Sequence, residues 1–446
     1  MVSADSLNLD VLEVIFTYLF GRDLPAVALV SRAFLAGVIP RLYRTLAFRI
    51  HHAKRYPKIP SAFSAVLAHP HLATHVRNID IRVAQTILGD MYPVFVRDCC
   101  RALELCTNLR SFVHTPDSVS SFLSILEEKS RLEDIRIHGR LTTPQAEKLL
   151  NLTKMQKIAI DFGSWNTMDI LPRWAPLNRK TLTNLTLSMS NELNEQVLEV
   201  TLAELPQLLG LHVVGCPKVT HISIFRLVSH TPHLESLAFT AAEHSSSTEL
   251  PIPALHHLQH IAIDTRLSIT GSGQPPQVLP TILAHLKASM PPLSSFSLKA
   301  PELQTTSTLI LVKDLLEAYD RTLKRVTFFD CSVGLDSIEA ICKSCVHLEQ
   351  LQFSLPIKQI DGLTKAMSHS KTLQALVDVD THVAHEFRPN LKQDNVSSIM
   401  TRVPTLRRIV SNKRIWTGQR VRGALQISFD RQPTHGPSTH WFLPHD

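Results

Sequence analysis

Glycine is scarce in this chain. Fourteen glycines occur in 446 residues and none cluster, which argues against a Rossmann-type or phosphate-cradling loop. No run of about 18 apolar residues is present, so nothing reads as a membrane span. The opening residues MVSADSLNLD lack a basic stretch followed by an apolar core and do not read as a secretory signal. Seven cysteines, an odd number, are scattered along the chain. Without a signal they fit free thiols in a reducing compartment, cytoplasmic or nuclear. The sequons Asn151-Leu152-Thr153 and Asn184-Leu185-Thr186 are therefore expected to stay unglycosylated. No G-x-S-x-G, H-E-x-x-H, P-loop or kinase signature occurs, and no cysteine has a histidine partner suited to nucleophilic attack. No catalytic activity, cofactor or metal is expected.

What is present is an ordinary globular balance, 44% hydrophobic and 19% charged, with a mild net charge of +7. Two basic segments stand out. One holds Arg49, His51, His52, Lys54, Arg55 and Lys58; the other holds Arg407, Arg408, Lys413, Arg414, Arg420 and Arg422, with Trp416 nearby. Neither is dense or interleaved with aromatics, so they read as a solvated linker and a cap rather than a nucleic-acid surface. The pair Cys342-x-x-Cys345 has no second pair at zinc spacing and sits on an apolar helical face, which favours packing. The histidine groups His69, His71, His75 and His256, His257, His260 lack a visible set of convergent ligands.

From residue 76 the chain repeats the pattern L-x-x-L-x-L. Anchor sets include Val76/Ile79/Ile81, Leu132/Ile135/Ile137, Met155/Ile158/Ile160, Leu182/Leu185/Leu187 and Leu208/Leu211/Val213. The series runs on through Leu234/Leu237/Phe239, Leu258/Ile261/Ile263, Leu293/Phe296/Leu298, Leu323/Val326/Phe328 and Leu348/Leu351/Phe353 to Leu406/Ile409. Steps between turns lie between 23 and 35 residues, the leucine-rich-repeat range. Amphipathic helical stretches such as NEQVLEVTLAEL and LDSIEAICKSC fill the intervals. Cys216 and Cys331 stand where such repeats carry Asn or Cys, and polar residues His114, Asp378 and Ser411 replace the third anchor in three turns. About thirteen turns would stack, each burying its leucines only against its neighbours. The expected fold class is an α/β leucine-rich-repeat solenoid, a horseshoe, over residues 76–412, followed by a cap or tail over 413–446.

The N-terminal 48 residues carry three helical patterns. Leu9, Leu12, Ile15, Phe16 and Leu19 recur at helical spacing; Leu24, Val27, Ala28 and Val30 form a second set; Phe34, Leu35, Val38 and Ile39 form a third, closed by Pro40. Asp23 is a candidate cap for the second helix with Pro25 just inside it. So short a unit buries too little surface to be comfortable alone. The stretches Leu7-Asn8-Leu9-Asp10-Val11-Leu12, Ile15-Phe16-x-Tyr18-Leu19, Arg22-Asp23-Leu24 and Leu29-Val30-Ser31-Arg32-Ala33-Phe34 resemble an F-box, and the tail Pro40–Leu46 looks like fungal members. The family usually has proline where this chain has Asn8, which could serve instead as an N-cap.

The resemblance implies a small all-α F-box over 1–48 and a basic helical linker over 49–75. It also implies a non-catalytic substrate receptor for a Skp–cullin–F-box ubiquitin ligase. The adaptor-facing positions would include Leu7, Leu9, Leu12, Ile15, Leu19, Leu24, Val27, Val30 and Phe34. A protein substrate is the expected ligand of the concave repeat face. Alternation along the strands places Arg136, His138, Asp161, His212, His260, Arg325, Phe329 and Gln352 there. The other reading is a leucine-rich-repeat scaffold that never engages ligase machinery.

Overall fold

A computed structural model describes residues 8–19, 23–56, 58–83, 86–87, 90–91, 93–242, 253–266, 278–301, 303–379, 390–431 and 440–444. Leu7 and Arg22 lie outside the described residues. The chain divides into two compact units, Met1–Gln207 and Leu208–Asp446.

The first unit opens with three helices, α1 (Leu9–Phe16), α2 (Asp23–Ala28) and α3 (Arg32–Leu42). Ser31 caps α3 by accepting a hydrogen bond from the Phe34 amide at 3.3 Å. The helix then runs through Pro40 and ends at Leu42, two residues beyond the stop expected from sequence. Near a C-terminus the proline removes one backbone bond and leaves the rest of the turn intact. Asn8 occupies the N-cap position of α1 in extended conformation, yet its side chain makes no capping bond. Asp23 is itself the first residue of α2.

Strands follow at β1 (Thr45–Phe48), β2 (Asn78–Ile81), β5 (Ser111–His114), β6 (Asp134–His138), β7 (Lys157–Asp161) and β8 (Asn184–Ser188). A small hairpin, β3 (Thr86–Ile87) and β4 (Asp90–Met91), lies aside. Successive ladder strands from β1 to β8 pair in parallel. Their registers align Leu46, Ile79, Phe112, Ile135, Ile158 and Leu185 in one row. All six are buried. The ladder therefore starts one strand before the repeat pattern places it. Leu46 and Phe48 are its anchors, spelled inside the stretch that resembles an F-box.

The second unit holds β9 (Gly210–Val214), β10 (Ser236–Thr240), β11 (His260–Asp264), β12 (Ser295–Lys299), β13 (Arg325–Phe329), β14 (Gln350–Phe353), β15 (Ala375–Asp378) and β16 (Arg408–Ser411), all parallel. Leu211, Leu237, Ile261, Phe296, Val326, Leu351, Leu376 and Ile409 form one row in register, fully buried. Two antiparallel strands, β17 (Arg414–Val421) and β18 (Ala424–Arg431), end the sheet. Arg422 and Gly423, at φ 51° and 85°, make the tight turn between them.

Helices lie between most successive ladder strands, as at Glu195–Ala203, Thr305–Tyr319 and Leu335–Ser344. They pack on the anchors: Phe225 meets Phe239 edge-on at 5.3 Å, and Phe122 lies 5.7 Å from Phe112. The alternate residues of each strand consequently face away from the helices, on what we term the open face. Strand, helix and strand, with anchors aligned turn by turn, make each unit an α/β leucine-rich-repeat stack.

The polar third anchors are accommodated in two ways. His114 is fully buried with its ring packed against both Phe112 and Phe122, which also touch each other. Burial holds its pKa down at about 4, so it packs as a neutral aromatic ring. Asp378 and Ser411 bond each other. The seven cysteines are free thiols. Cys342 and Cys345 are buried in packing, their pKa values pushed up to about 12 by loss of solvent. Among the described residues no three metal-ligating side chains converge, and no helix is long and apolar enough to cross a membrane.

Candidate functional site

Helix α1 is apolar nearly all round, and the fold divides its surface. Leu12 and Phe16 point inward onto Val38 of α3. The approach is close: a Cβ on Gly37 would stand 3.0 Å from Phe16 Cε2 and 3.1 Å from Leu12 Cβ. Phe16 and Phe34 meet ring to ring at 5.4 Å. Leu19, Leu24, Val27 and Phe34 are partly buried against this core, and Arg41 Nε donates to the Leu19 carbonyl at 3.1 Å. The opposite side of α1 carries Val11, Val14 and Ile15, continued by Tyr18 in the turn after the helix, all exposed and spaced to form one stripe. Tyr18 is 78% exposed and Leu29, just after α2, is 87% exposed. Val30, Leu35 and Leu9 are also exposed.

The adaptor-facing residues inferred from sequence thus fall into two groups. Leu12 is core; Leu19, Leu24, Val27 and Phe34 support it; Leu9, Ile15 and Val30 remain available. The sequence reading missed Val11, Val14, Tyr18, Leu29 and Leu35. Periodicity does not single them out, since with apolar residues on both sides of a short helix it does not say which side faces the module's own core.

On the open face of the first unit, charges are internally matched. Arg136 Nε donates to Asp161 Oδ2 at 2.8 Å, and Ser188 Oγ donates to Asp161 Oδ1 at 2.6 Å. Asp80 receives both Arg49 and Arg82. His138 stacks on Phe162 at 5.1 Å, and partial burial lowers its pKa. Arg136, His138 and Asp161 are therefore brought together on adjacent strands β6 and β7, where ion pairing consumes much of their charge.

The second unit's open face differs. His212 and His260, expected as exposed contacts, are buried. His212 Nε2 shares a hydrogen bond with Ser236 Oγ at 2.9 Å, and burial drives its pKa down to about 3. His260 Nδ1 lies 2.9 Å from Ser295 Oγ, and its Nε2 lies 3.0 Å from the Phe442 carbonyl oxygen. Phe442 is buried against Val214, Ala238 and Ala262, with Trp441 and Leu443 packed beside it. Phe329 meets Trp441 edge-on at 5.1 Å, and Lys299 Nζ sits 5.8 Å above the same indole. Arg325 and Gln352 remain partly exposed on this face. The C-terminal segment therefore covers His212, His260 and the edge of Phe329, three of the positions expected to meet a ligand. Ala238 and Ala262, which make the floor, are not among the positions expected from sequence.

No protein-family model matches the chain. Among solved structures, the chain is similar to a crystal structure of the Rad7 and Elc1 complex in yeast, at 15% identity. That likeness covers 86% of this chain and 92% of that one, with a TM-score of 0.44. It is also similar to an internalin from Listeria monocytogenes at 12% identity, covering 70% of this chain and 82% of that one, with a TM-score of 0.31.

Proposed function

We propose that the chain is the substrate-recognition subunit of a Skp–cullin–F-box ubiquitin ligase. In this reading α1 to α3 dock a Skp-type adaptor that links the chain to a cullin, and the open face of the repeats holds a protein substrate. The chain performs no chemistry; it holds the substrate beside a conjugating enzyme, and proximity supplies the rate gain. It acts in the cytoplasm or nucleus, without a membrane or nucleic-acid partner.

The observation that carries the reading is the exposed stripe Val11, Val14, Ile15 and Tyr18, with Leu29 and Val30, on a module that resembles an F-box. Contiguous apolar surface of this kind marks a protein contact. A repeat scaffold outside any ligase is the second reading. It is favoured by Asn8, which replaces the family's proline and makes no capping bond.

Affinity purification of the tagged chain separates the two. The ligase reading expects adaptor and cullin to co-purify, and Val14→Asp with Ile15→Asp to lose both. Absence of both from the unsubstituted chain would establish the scaffold reading instead.

A further inference from the structure

The segment His440–Pro444 is seated across five strands of the second unit's open face. Phe442, only 3% exposed, contacts β9 through Val214, β10 through Ala238 and β11 through Ala262. Trp441 reaches β12 at Lys299 and β13 at Phe329. His440 stacks on Phe442 at 4.7 Å.

The face is shaped for this contact. Ala238 and Ala262 pair directly in register, flanked in the same row by His212 and Ser297. Two methyl groups side by side leave depth for a phenyl ring. In the first unit the corresponding row reads Asp80, Val113, Arg136, Ala159 and Thr186, with larger and charged groups. A polar clamp completes the site. A carbonyl can only accept, so His260 Nε2 donates to the Phe442 oxygen, while Nδ1 shares a second hydrogen bond with the Ser295 hydroxyl. The histidine thus reads main chain, while the alanine floor and the Phe329–Lys299 edge read two adjacent aromatic side chains.

We propose that this surface is a recognition site for a protein segment that presents, in a tight turn, an adjacent aromatic pair followed by an aliphatic residue, and that Trp441-Phe442-Leu443, held in a turn closed by the Leu443 N–H to His440 carbonyl hydrogen bond at 3.1 Å, is its resident competitor. This rests on the reading that the open face holds the substrate, and it names the substrate's chemistry. The eight residues 432–439 tether the segment to the end of β18. Attachment to the same chain makes the tail's docking intramolecular, so only a partner that binds well displaces it.

The probe is a fluorescent peptide of residues 438–446, STHWFLPHD, read by anisotropy against the full-length chain. The variant carrying Trp441→Ala and Phe442→Ala is expected to bind it saturably, at least tenfold more tightly than the unsubstituted chain. Adding His260→Ala, or replacing both aromatics of the peptide by alanine, is expected to abolish binding. A second arm needs no disruptive change: a protease-cleavable sequence replaces residues 433–437, the folded chain is cut, and the freed tail must exchange with labelled peptide. Equal binding to substituted and unsubstituted chains, or a cut chain whose tail never exchanges, overturns the proposal. Adaptor co-purification of the same variants reads the ligase assignment separately; peptide exchange lost with adaptor retained overturns this inference alone.

Discussion

Ser411 Oγ donates a hydrogen bond to Asp378 Oδ2 at 2.6 Å. These residues occupy the third-anchor position in neighbouring turns, where other turns place a buried apolar side chain. Asp378 also accepts from the Leu355 amide through Oδ1 at 3.0 Å. One carboxylate therefore satisfies donors from the turn before it and the turn after it.

This arrangement orders two substitutions. Ser411→Ala removes one bond and is expected to cost about 1 kcal/mol. Asp378→Ala strips partners from two donors at once and is expected to cost roughly 2–3 kcal/mol. Hydrogen exchange of amides in β15 and β16 measures both. Equal costs would show that the Leu355 bond contributes nothing.

His114 makes stability depend on pH. Its pKa in the folded chain is about 4 because of burial, below the ordinary 6.5. Below pH 6.5 the unfolded chain takes up a proton that the folded chain refuses until about pH 4. Stability of the first unit should therefore fall as pH drops through that window, and fall no further beneath it. At pH 5 the loss from this residue is about 2 kcal/mol. His114→Phe keeps a ring against Phe112 and Phe122 and is expected to flatten the profile, read by exchange at β5 between pH 7 and 5. An unchanged slope would contradict the assignment.

The two sides of α1 should respond differently to substitution. Gly37→Val pushes methyl groups into Phe16 and Leu12 and is expected to destabilise the helical module by about 1–3 kcal/mol, seen as faster exchange over residues 9–16. Tyr18→Asp lies on the exposed side and is expected to change stability by less than about 0.5 kcal/mol. Both should weaken adaptor binding, the first through unfolding and the second through the contact itself. Tyr18→Asp with full adaptor affinity would remove the stripe from the interface.

Much of the ladder was legible because the signal repeats. Ile135, Ile158 and Leu185 sit in one row because each turn spells the same anchor at nearly the same interval. The first strand escaped notice because Leu46 and Phe48 fall within a stretch whose helical pattern dominated. The division of α1 was illegible for a related reason: with apolar residues on both sides, periodicity alone does not say which side has a partner. The seating of Phe442 on His260 spans 182 residues and leaves no local trace. A short aromatic tail reads the same whether docked or loose. The charged positions Arg136 and Asp161 were named from alternation, but their mutual ion pair depends on strand register, which only the folded ladder supplies.

The most direct test of the central claim is hydrogen exchange of the full-length chain with and without a purified Skp-type adaptor. The account predicts slowed exchange over residues 11–18 and 29–35, with the repeat strands β9 to β13 unchanged. Binding without protection of those helices, or no binding at all, would contradict it.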